Sequence, residues 1–120
     1  MIETQCLFCR IVAGEIDAEV VYNTDRIIAF RDIAPKAPVH VLVIPRQHYT
    51  DVAELAAADH GLAGALLDVT GKVAAAEGLA ADGYRVLFNT GRHGGQEVLH
   101  VHAHVLGGKR LGPMLANSAG

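Results

Sequence analysis

The sequence lacks the features that mark membrane, exported or multidomain proteins. Although 51% of its 120 residues are hydrophobic, no run approaches the ~20 apolar residues that a membrane-spanning helix needs. The N-terminus carries an acidic residue early and has no basic segment followed by an apolar one, so it predicts no export signal. Repeats, low-complexity stretches and linkers are also missing. We therefore predict one globular domain over residues 1–120, located in the cytoplasm and without a membrane partner.

Basic residues are few, and they are scattered along the chain. Ten Lys and Arg residues stand against thirteen Asp and Glu residues, which gives a formal net charge of -3. Nucleic-acid surfaces concentrate Lys and Arg on one face. The sequence therefore argues against a nucleic-acid partner, while a small phosphate ligand held by local groups remains compatible with it.

Cysteine is scarce, and both cysteines lie in one CxxC motif, at Cys6 and Cys9. A redox pair normally follows a strand in a βαβ unit, but only five residues precede this motif. A zinc half-site is the alternative, and it needs two further ligands from elsewhere in the chain. From the motif alone, a redox pair, a zinc half-site and no function all remain open.

Two helices, one short and one long, are predicted from the spacing of apolar residues. The short helix spans residues 5–13, and Gly14 suits its C-terminal end. The long helix spans about residues 59–77, with Asp59 as its N-cap and Gly78 just past its end. Its apolar residues recur at three- and four-residue steps and predict one buried stripe, formed by Leu62, Leu66, Val69, Val73 and Ala76.

Five short strands complete the predicted fold. They span residues 19–23, 27–31, 39–44, 84–89 and 98–106. The first two flank three polar residues and predict a β-hairpin. Because helices do not alternate regularly with strands, we predict an α+β fold with a mainly antiparallel sheet.

The segment HVHAHVLGG, residues 100–108, holds three of the seven histidines of the chain. Alternate residues of a strand share a face, so His100, His102 and His104 are predicted on one open face of the fifth strand. The opposite face, predicted to pack under the long helix, would carry Leu99, Val101, Ala103 and Val105. Outward polar residues would explain the alternation but not the repeated choice of histidine. Three ligands at alternate positions of one strand could not all converge on one ion without other elements, so we expect them to have different roles.

Imidazole has three uses that fit this position. A neutral imidazole attacks phosphorus as a nucleophile, donates a hydrogen bond to a phosphate oxygen, or binds zinc. A glycine-rich turn over residues 89–95 precedes the histidines, and its backbone N–H groups can face an anion. The combination predicts phosphoryl or nucleotidyl transfer chemistry.

The order His, apolar, His, apolar, His, followed by two apolar residues, resembles the motif that defines the histidine-triad (HIT) family. The ending Gly107-Gly108 and the preceding GGQEV over residues 94–98 are similar to the Hint branch in its bacterial form, the purine nucleoside phosphoramidases. Residues 6–16, 30–45 and 110–115 also resemble that branch. The resemblance covers nearly the whole chain. It implies one HIT domain, with a five-stranded sheet, one long and one short helix, and an irregular tail over residues 107–120.

The resemblance assigns the catalytic roles position by position. His102 would attack the α-phosphorus and become nucleotidylated, His104 would hydrogen-bond the phosphate or the leaving group, and His40 would act behind the nucleophile as a supporting or relay group. The nucleotide-binding residues that it implies are Leu7, Phe8, Ile11, Phe30 and Ile33 for the purine, Asp32 for the ribose, Asn89 and Gly95 for the phosphate, together with Glu97, His102 and His104.

Each of these positions also has a purely structural interpretation. By pattern alone, the apolar residues of the purine pocket would be ordinary core residues. Asp32 would start a turn, Asn89 would end a strand, and Gly94-Gly95 would form a flexible turn.

A metal site is implied as well, because some HIT proteins bind zinc through an N-terminal CxxC and two histidines. All four ligand positions are present here, as Cys6, Cys9, His48 and His100. Four protein ligands leave no open coordination position, so the zinc ion would be structural, and it would hold His100 in register. Reduced free thiols are the alternative. No catalytic metal is expected.

The implied activity is hydrolysis of the phosphorus–nitrogen bond of purine nucleoside 5'-phosphoramidates, such as adenosine 5'-monophosphoramidate, through a nucleotidyl-histidine. A Fhit-like dinucleoside polyphosphate hydrolase is one alternative, although those enzymes tend to follow the triad with a proline and a basic residue. A non-catalytic, zinc-stabilised interaction module is another. The resemblance also implies a homodimer. Glu97 stands where animal Hint enzymes have a small hydroxyl residue near the leaving group, so the preferred amine stays open.

Overall fold

The structure, a computed structural model, describes residues 5–115 and contains one five-stranded sheet with three helices. The strands are β1 (Val20–Asn23), β2 (Ile27–Arg31), β3 (Val39–Pro45), β4 (Arg85–Leu87) and β5 (Ala103–Gly107). The helices are α1 (Leu7–Val12), α2 (Val52–Ala58) and α3 (His60–Ala76). None of the helices between residues 5 and 115 is long and apolar enough to cross a bilayer.

The strands lie in the order β1-β2-β3-β5-β4, and every neighbouring pair is antiparallel. The predicted hairpin joins β1 to β2, and its turn is closed by the Thr24 hydroxyl oxygen, which accepts from the backbone N–H groups of Arg26 and Ile27. The prediction of an α+β fold with a five-stranded antiparallel sheet is therefore confirmed.

The prediction of two helices was wrong, because α2 is a third. The side chain of Asp51 accepts a hydrogen bond from the Glu54 N–H, and the Glu54 carboxylate accepts one from the Thr50 N–H. This reciprocal pairing is close to a capping box. The sequence signal of a capping box is an N-cap residue followed three residues later by Glu or Gln. Asp59 then ends α2 and caps α3, where its carboxylate accepts from the Leu62 N–H at 2.9 Å.

The buried stripe of α3 is confirmed except at its last position. Leu62, Leu66, Val69 and Val73 are buried against one face of the sheet, as predicted. Ala76 is exposed, because the chain turns away at Gly78, whose φ of 77° suits glycine. Leu79 folds back after this turn, and its backbone N–H donates to the Ala74 carbonyl. The buried side chains at this end of the helix are therefore Ala74 and Leu79.

The sheet is covered on both faces. Successive residues of β3 point to opposite sides, with Val41 and Val43 in the core under α3, and Leu42 and Ile44 in a second core with α1. This second core contains Phe8, Phe30 and both cysteines. The face that carries the histidines was predicted to be open, and this was wrong: His100 is 0% exposed and His102 is 7% exposed.

The last two strands are shorter than predicted. β5 begins at Ala103, so His100 and His102 lie in the segment that approaches it. In that segment the Val101 N–H donates to the Tyr49 carbonyl at 2.7 Å, outside the sheet. Leu99, expected to pack under the long helix, is 59% exposed, because it lies before the strand begins. Residues 108–115 form neither helix nor strand, Gly107 belongs to β5, and the rest of the predicted irregular tail lies outside the described residues.

Candidate active site and metal centre

A cavity of about 650 Å³ opens on the α1 side of the sheet. Its volume lies within the range of small-molecule sites. Every residue predicted to bind the nucleotide or to act in catalysis lines it: Leu7, Phe8, Ile11, Phe30, Asp32, Ile33, His40, Asn89, Gly95, Glu97, His102 and His104. The structure therefore brings together residues from across the chain to which the resemblance to the HIT family had assigned roles.

One end of the cavity is apolar and partly aromatic. The rings of Phe8 and Phe30 meet edge to face, with centroids 5.5 Å apart, and both side chains are buried. Leu7 is 43% exposed and Ile33 is 98% exposed, so neither is an ordinary core residue. A buried aromatic floor with exposed aliphatic side chains at its rim suits a planar, apolar ring system.

The imidazole of His102 has a defined tautomer. Its Nδ1–H donates to the main-chain carbonyl of His100 at 2.7 Å, which leaves the lone pair of the neutral ring on Nε2. Burial lowers the pKa of His102, while the carboxylates of Asp32 and Glu97 act weakly in the opposite direction. The ring is therefore neutral near pH 7 and has a free lone pair, as a nucleophile requires.

His40 and His104 form a hydrogen-bonded pair whose direction is also fixed. The Lys36 backbone N–H donates to Nδ1 of His40 at 3.1 Å, so the neutral His40 ring carries its proton on Nε2. That Nε2–H donates to Nδ1 of His104 at 2.9 Å. The proton of the neutral His104 ring is therefore on its own Nε2.

This Nε2 of His104 is the one buried side-chain nitrogen or oxygen that lacks a hydrogen-bond partner within residues 5–115. Burial lowers the pKa of His104 to about 4, so the ring remains neutral at pH 7. A buried, unpartnered N–H costs stability unless a ligand satisfies it. His104 thus offers one hydrogen-bond donor to a ligand in the cavity.

Asp32 closes a turn and also lies beside His40. One carboxylate oxygen accepts from the Ala34 N–H at 2.8 Å, which is the turn that the pattern alone suggested. The other lies 3.5 Å from Nε2 of His40. Burial lowers the pKa of His40, and the Asp32 carboxylate partly offsets this by attraction to the charged form.

The glycine-rich turn is held by a residue that the sequence analysis missed. The side-chain amide of Gln96 donates to the carbonyls of Thr50 and Val98, and its oxygen accepts from the Gly91 N–H. A Cβ at Gly94 would lie 2.4 Å from the Thr90 carbonyl oxygen, so this position requires glycine. The hydrogen bonds of Gln96 therefore fix the conformation of a turn that the pattern alone suggested was flexible. The only sequence signal for Gln96 was its place directly after Gly94-Gly95.

A second group of side chains, hereafter the Cys/His cluster, consists of Cys6, Cys9, His48 and His100. Their ligand atoms all lie within 4.8 Å of one another. Nδ1 of His100 is 3.4 Å from Sγ of Cys6 and 3.5 Å from Sγ of Cys9, and Nδ1 of His48 is 3.3 Å from Sγ of Cys9. Ligand atoms around tetrahedral zinc are separated by about 3.5 Å, so these spacings fit the ion.

The backbone prepares this cluster for a cation. Nε2–H of His100 donates to the Pro45 carbonyl at 2.8 Å, which leaves the lone pair on Nδ1, facing both thiols. Burial lowers the pKa of His100 to about 4 and raises the pKa of the Cys6 thiol. The donor set of two sulfurs and two imidazole nitrogens suits zinc, whose charge would stabilise the thiolates.

The Asp/His cluster, which consists of Asp32, His40 and His104, also has ligand atoms within 4.8 Å of one another. Its hydrogen bonds do not suit a cation. The Lys36 N–H occupies Nδ1 of His40, so Nε2 of that ring carries a proton and has no lone pair for a metal. This cluster is therefore a chain of hydrogen bonds that ends at His104, and not a metal site.

Comparison with known proteins finds relatives along most of this chain. The family model described as the HIT domain matches residues 13–111. The purine nucleoside phosphoramidase of Escherichia coli (strain K12) is 47% identical over 113 residues, which cover 94% of this chain and 95% of that protein. A HIT family hydrolase from Legionella pneumophila superimposes with a TM-score of 0.86 at 47% identity, covering 89% of this chain and 96% of that one. A histidine triad protein from Clostridium difficile gives 0.90 at 40% identity, covering 94% and 98%.

Proposed function

The chain belongs to the HIT domain family, and from that premise we propose that it hydrolyses the phosphorus–nitrogen bond of purine nucleoside 5'-phosphoramidates. The observation that carries the proposal is the opposite polarity of two neighbouring imidazoles. His102 offers a lone pair on Nε2, and His104 offers a hydrogen on Nε2. One ring is thus equipped to attack phosphorus and the other to donate to the group under attack.

The reaction has two displacements. In the first, Nε2 of His102 forms a bond to the α-phosphorus, and the bond from phosphorus to the amine breaks. The leaving nitrogen takes up one proton from solvent and departs as a neutral amine. The imidazole becomes a nucleotidyl-imidazolium, whose Nδ1–H remains bonded to the His100 carbonyl. Two displacements replace one difficult attack by water.

In the second displacement, water attacks the same phosphorus and the bond to His102 breaks. The nucleoside monophosphate leaves, His102 returns to its neutral form, and the water releases one proton, which balances the proton consumed in the first step. His104 acts in both steps as a fixed donor to a phosphoryl oxygen or to the leaving nitrogen. His40 holds the tautomer of His104 through the 2.9 Å hydrogen bond between them.

The rest of the cavity supplies the nucleotide site in this proposal. The purine contacts Phe8, Phe30 and their aliphatic neighbours, and Asp32 binds the ribose hydroxyls with the oxygen that faces away from the turn. Asn89 and the Gly95 backbone bind the phosphate. The support is positional: these residues line the same cavity as His102.

One assay tests the function. Wild-type protein is expected to release AMP from adenosine 5'-monophosphoramidate, and His102→Ala is expected to lose this turnover. His93→Ala, at an exposed histidine that does not line the cavity, is the matched control. Turnover of a dinucleoside polyphosphate in preference to the phosphoramidate would point to the Fhit-like alternative. Equal behaviour of wild type and His102→Ala would point to a non-catalytic interaction module.

We also propose that the Cys/His cluster binds a structural zinc ion. Cys6, Cys9, His48 and His100 would hold it, and it would supply a cross-link between α1, the segment after β3 and the segment before β5. Elemental analysis is expected to find one zinc per chain in wild type and little in Cys6→Ser. No catalytic metal enters the proposed reaction.

The assembly and location of the protein belong to the same proposal. The HIT family resemblance suggests a homodimer, which sizing chromatography distinguishes from a single chain by a twofold difference in mass. A cytoplasmic location fits the sequence composition, and the net charge of -3 disfavours a nucleic-acid partner. The ligands expected are purine nucleotides of the AMP or GMP type.

A further inference from the structure

A second cavity, of about 480 Å³, adjoins the proposed nucleotide site. It is lined by Gln5, Cys6, Leu7, His48, Thr50, Glu97, Val98 and Leu99. Three of these residues, Leu7, Glu97 and Val98, also line the first cavity. The two cavities therefore adjoin along these three residues.

The charge of the second cavity is simple. Among the described residues that line it, Glu97 is the one carboxylate, and there is no Lys or Arg. The Glu97 side chain is exposed and makes no hydrogen bond or ion pair with another residue of the range 5–115. Apolar surface comes from Leu7, Val98 and the 59% exposed Leu99. The cavity thus combines an apolar surface with one unpaired negative charge.

We propose that the second cavity receives the substituent of the leaving amine, and that Glu97 selects amines with a second positive charge over amines with a carboxylate. This inference rests on the proposed function and assigns its substrate class. In that function the purine, the ribose and the phosphate already have places in the first cavity. The amine substituent is the one part of the substrate without a place, and the three shared residues line the same cavity as His102.

The size of the preference follows from electrostatics near a surface. An exposed carboxylate within several ångströms of a ligand charge, in surroundings close to those of water, changes binding by about three- to tenfold. Because salt screens exposed charges, the preference should shrink as ionic strength rises. An uncharged substituent should be unaffected by salt.

The test uses adenosine 5'-phosphoramidates of three amines of similar length: 1,4-diaminobutane, pentylamine and 4-aminobutanoate. The readout is the ratio of kcat/KM values among the three substrates, which is insensitive to any general loss of activity. Wild type is expected to prefer the cationic amine over the neutral one, and the neutral one over the anionic one, by about three- to tenfold at each step at low salt. Glu97→Gln should bring the ratios close together, and Glu97→Lys should invert them.

Asp68→Asn is the control, since it removes one negative charge from α3, where Asp68 pairs with Lys72 and lines neither cavity. It should keep the wild-type ratios. If Glu97→Gln keeps them as well while all three substrates are hydrolysed, the inference about Glu97 is overturned and the proposed function stands. If wild type hydrolyses no phosphoramidate, both are overturned.

Discussion

Two clusters of histidines lie close together in this protein, and they differ mainly in what the backbone offers to each ring. In the Cys/His cluster, the backbone carbonyl of Pro45 accepts a hydrogen bond from the ring of His100. In the Asp/His cluster, the backbone N–H of Lys36 donates a hydrogen bond to the ring of His40. The first arrangement leaves a lone pair facing the cluster, and the second leaves a proton facing it.

This difference decides the chemistry of each cluster. A lone pair directed at two thiols suits a metal cation. A proton directed at a second imidazole produces a chain of donors that ends at the cavity. Residue types alone do not distinguish the two, because both clusters contain two histidines and at least one residue that can carry a negative charge. What distinguishes the two clusters is whether the backbone group beside the ring accepts or donates a hydrogen bond.

His102 is connected to both clusters. Its Nδ1–H donates to the carbonyl of His100, a member of the Cys/His cluster, and its ring lies 4.9 Å from that of His104, in the Asp/His cluster. His100 of the Cys/His cluster therefore fixes the tautomer of His102, and the Asp/His cluster lies beside its ring.

The largest expected effect separates the clusters by activity. His104→Ala removes the N–H donor of the cavity and should lower kcat/KM by at least about 100-fold, the low end of what a fixed hydrogen-bond donor to developing charge contributes. Its metal content should stay at the wild-type level. The matched variant, His48→Ala, should lose bound zinc, as measured by elemental analysis. A loss of zinc in His104→Ala would show that the two clusters do not have separate roles.

Metal removal should separate the clusters by stability. If zinc is present at about 100 times its dissociation constant, it stabilises the fold by about 2.7 kcal/mol, so chelation should lower Tm by about 10 °C or more. The same treatment should leave Tm unchanged in Cys6→Ser, which already lacks a ligand. In His40→Ala the chelator should still lower Tm, since the Asp/His cluster holds no cation. Calorimetry with and without chelator measures all three.

Acid should protonate the ring of His104 in the folded protein only well below neutral pH. The pKa of His104 is lowered from 6.5 to about 4 by burial, so an unfolded chain takes up this proton first as pH falls. The contribution of the buried, neutral His104 ring to the free energy of unfolding is complete above pH 6.5, and it is lost as pH falls from about 6.5 towards 4. The rate should likewise hold below pH 6.5, because burial lowers the pKa of both His102 and His104. A kcat/KM profile that falls with a midpoint near 6.5 would contradict the neutral pair.

The smallest effect concerns Asp32. Its carboxylate favours the charged forms of His40 and His104, so Asp32→Asn should lower the pKa of both rings further. The acidic limb of the kcat/KM profile should move to lower pH by a fraction of a unit. The midpoint is the quantity to compare, because loss of the proposed ribose contact also raises KM. A midpoint displaced to higher pH would mean that Asp32 acts in some other way.

The residues of both clusters could be named from the sequence, but Asp32, His40 and His48 were assigned only through the resemblance to the HIT family. The three alternating histidines and the CxxC motif indicated chemistry without any coordinates. The fold class was also predictable, since the hairpin and the stripe of α3 follow from local periodicity. The assigned roles of individual residues remain predictions until they are measured.

The backbone partners could not be predicted, because they depend on contacts between distant parts of the chain. Pro45 lies 55 residues from His100, and nothing near either residue indicates that its carbonyl accepts from the ring. The burial of the histidines depends on α1 packing across the sheet, and the place of Val101 depends on its hydrogen bond to the distant Tyr49. By contrast, α2 was missed although the residues of its N-terminal cap were visible in the sequence.

The central claim is that the lone pair on Nε2 of His102 takes up the nucleotidyl group. Wild-type protein mixed with adenosine 5'-phosphoramidate labelled at the α-phosphorus, and quenched with denaturant within a single turnover, tests it most directly. The account predicts label on the protein, lost on treatment with acid, located by peptide mapping at His102, and absent from His102→Ala. Turnover without any labelled protein, or label on a different residue, would contradict it.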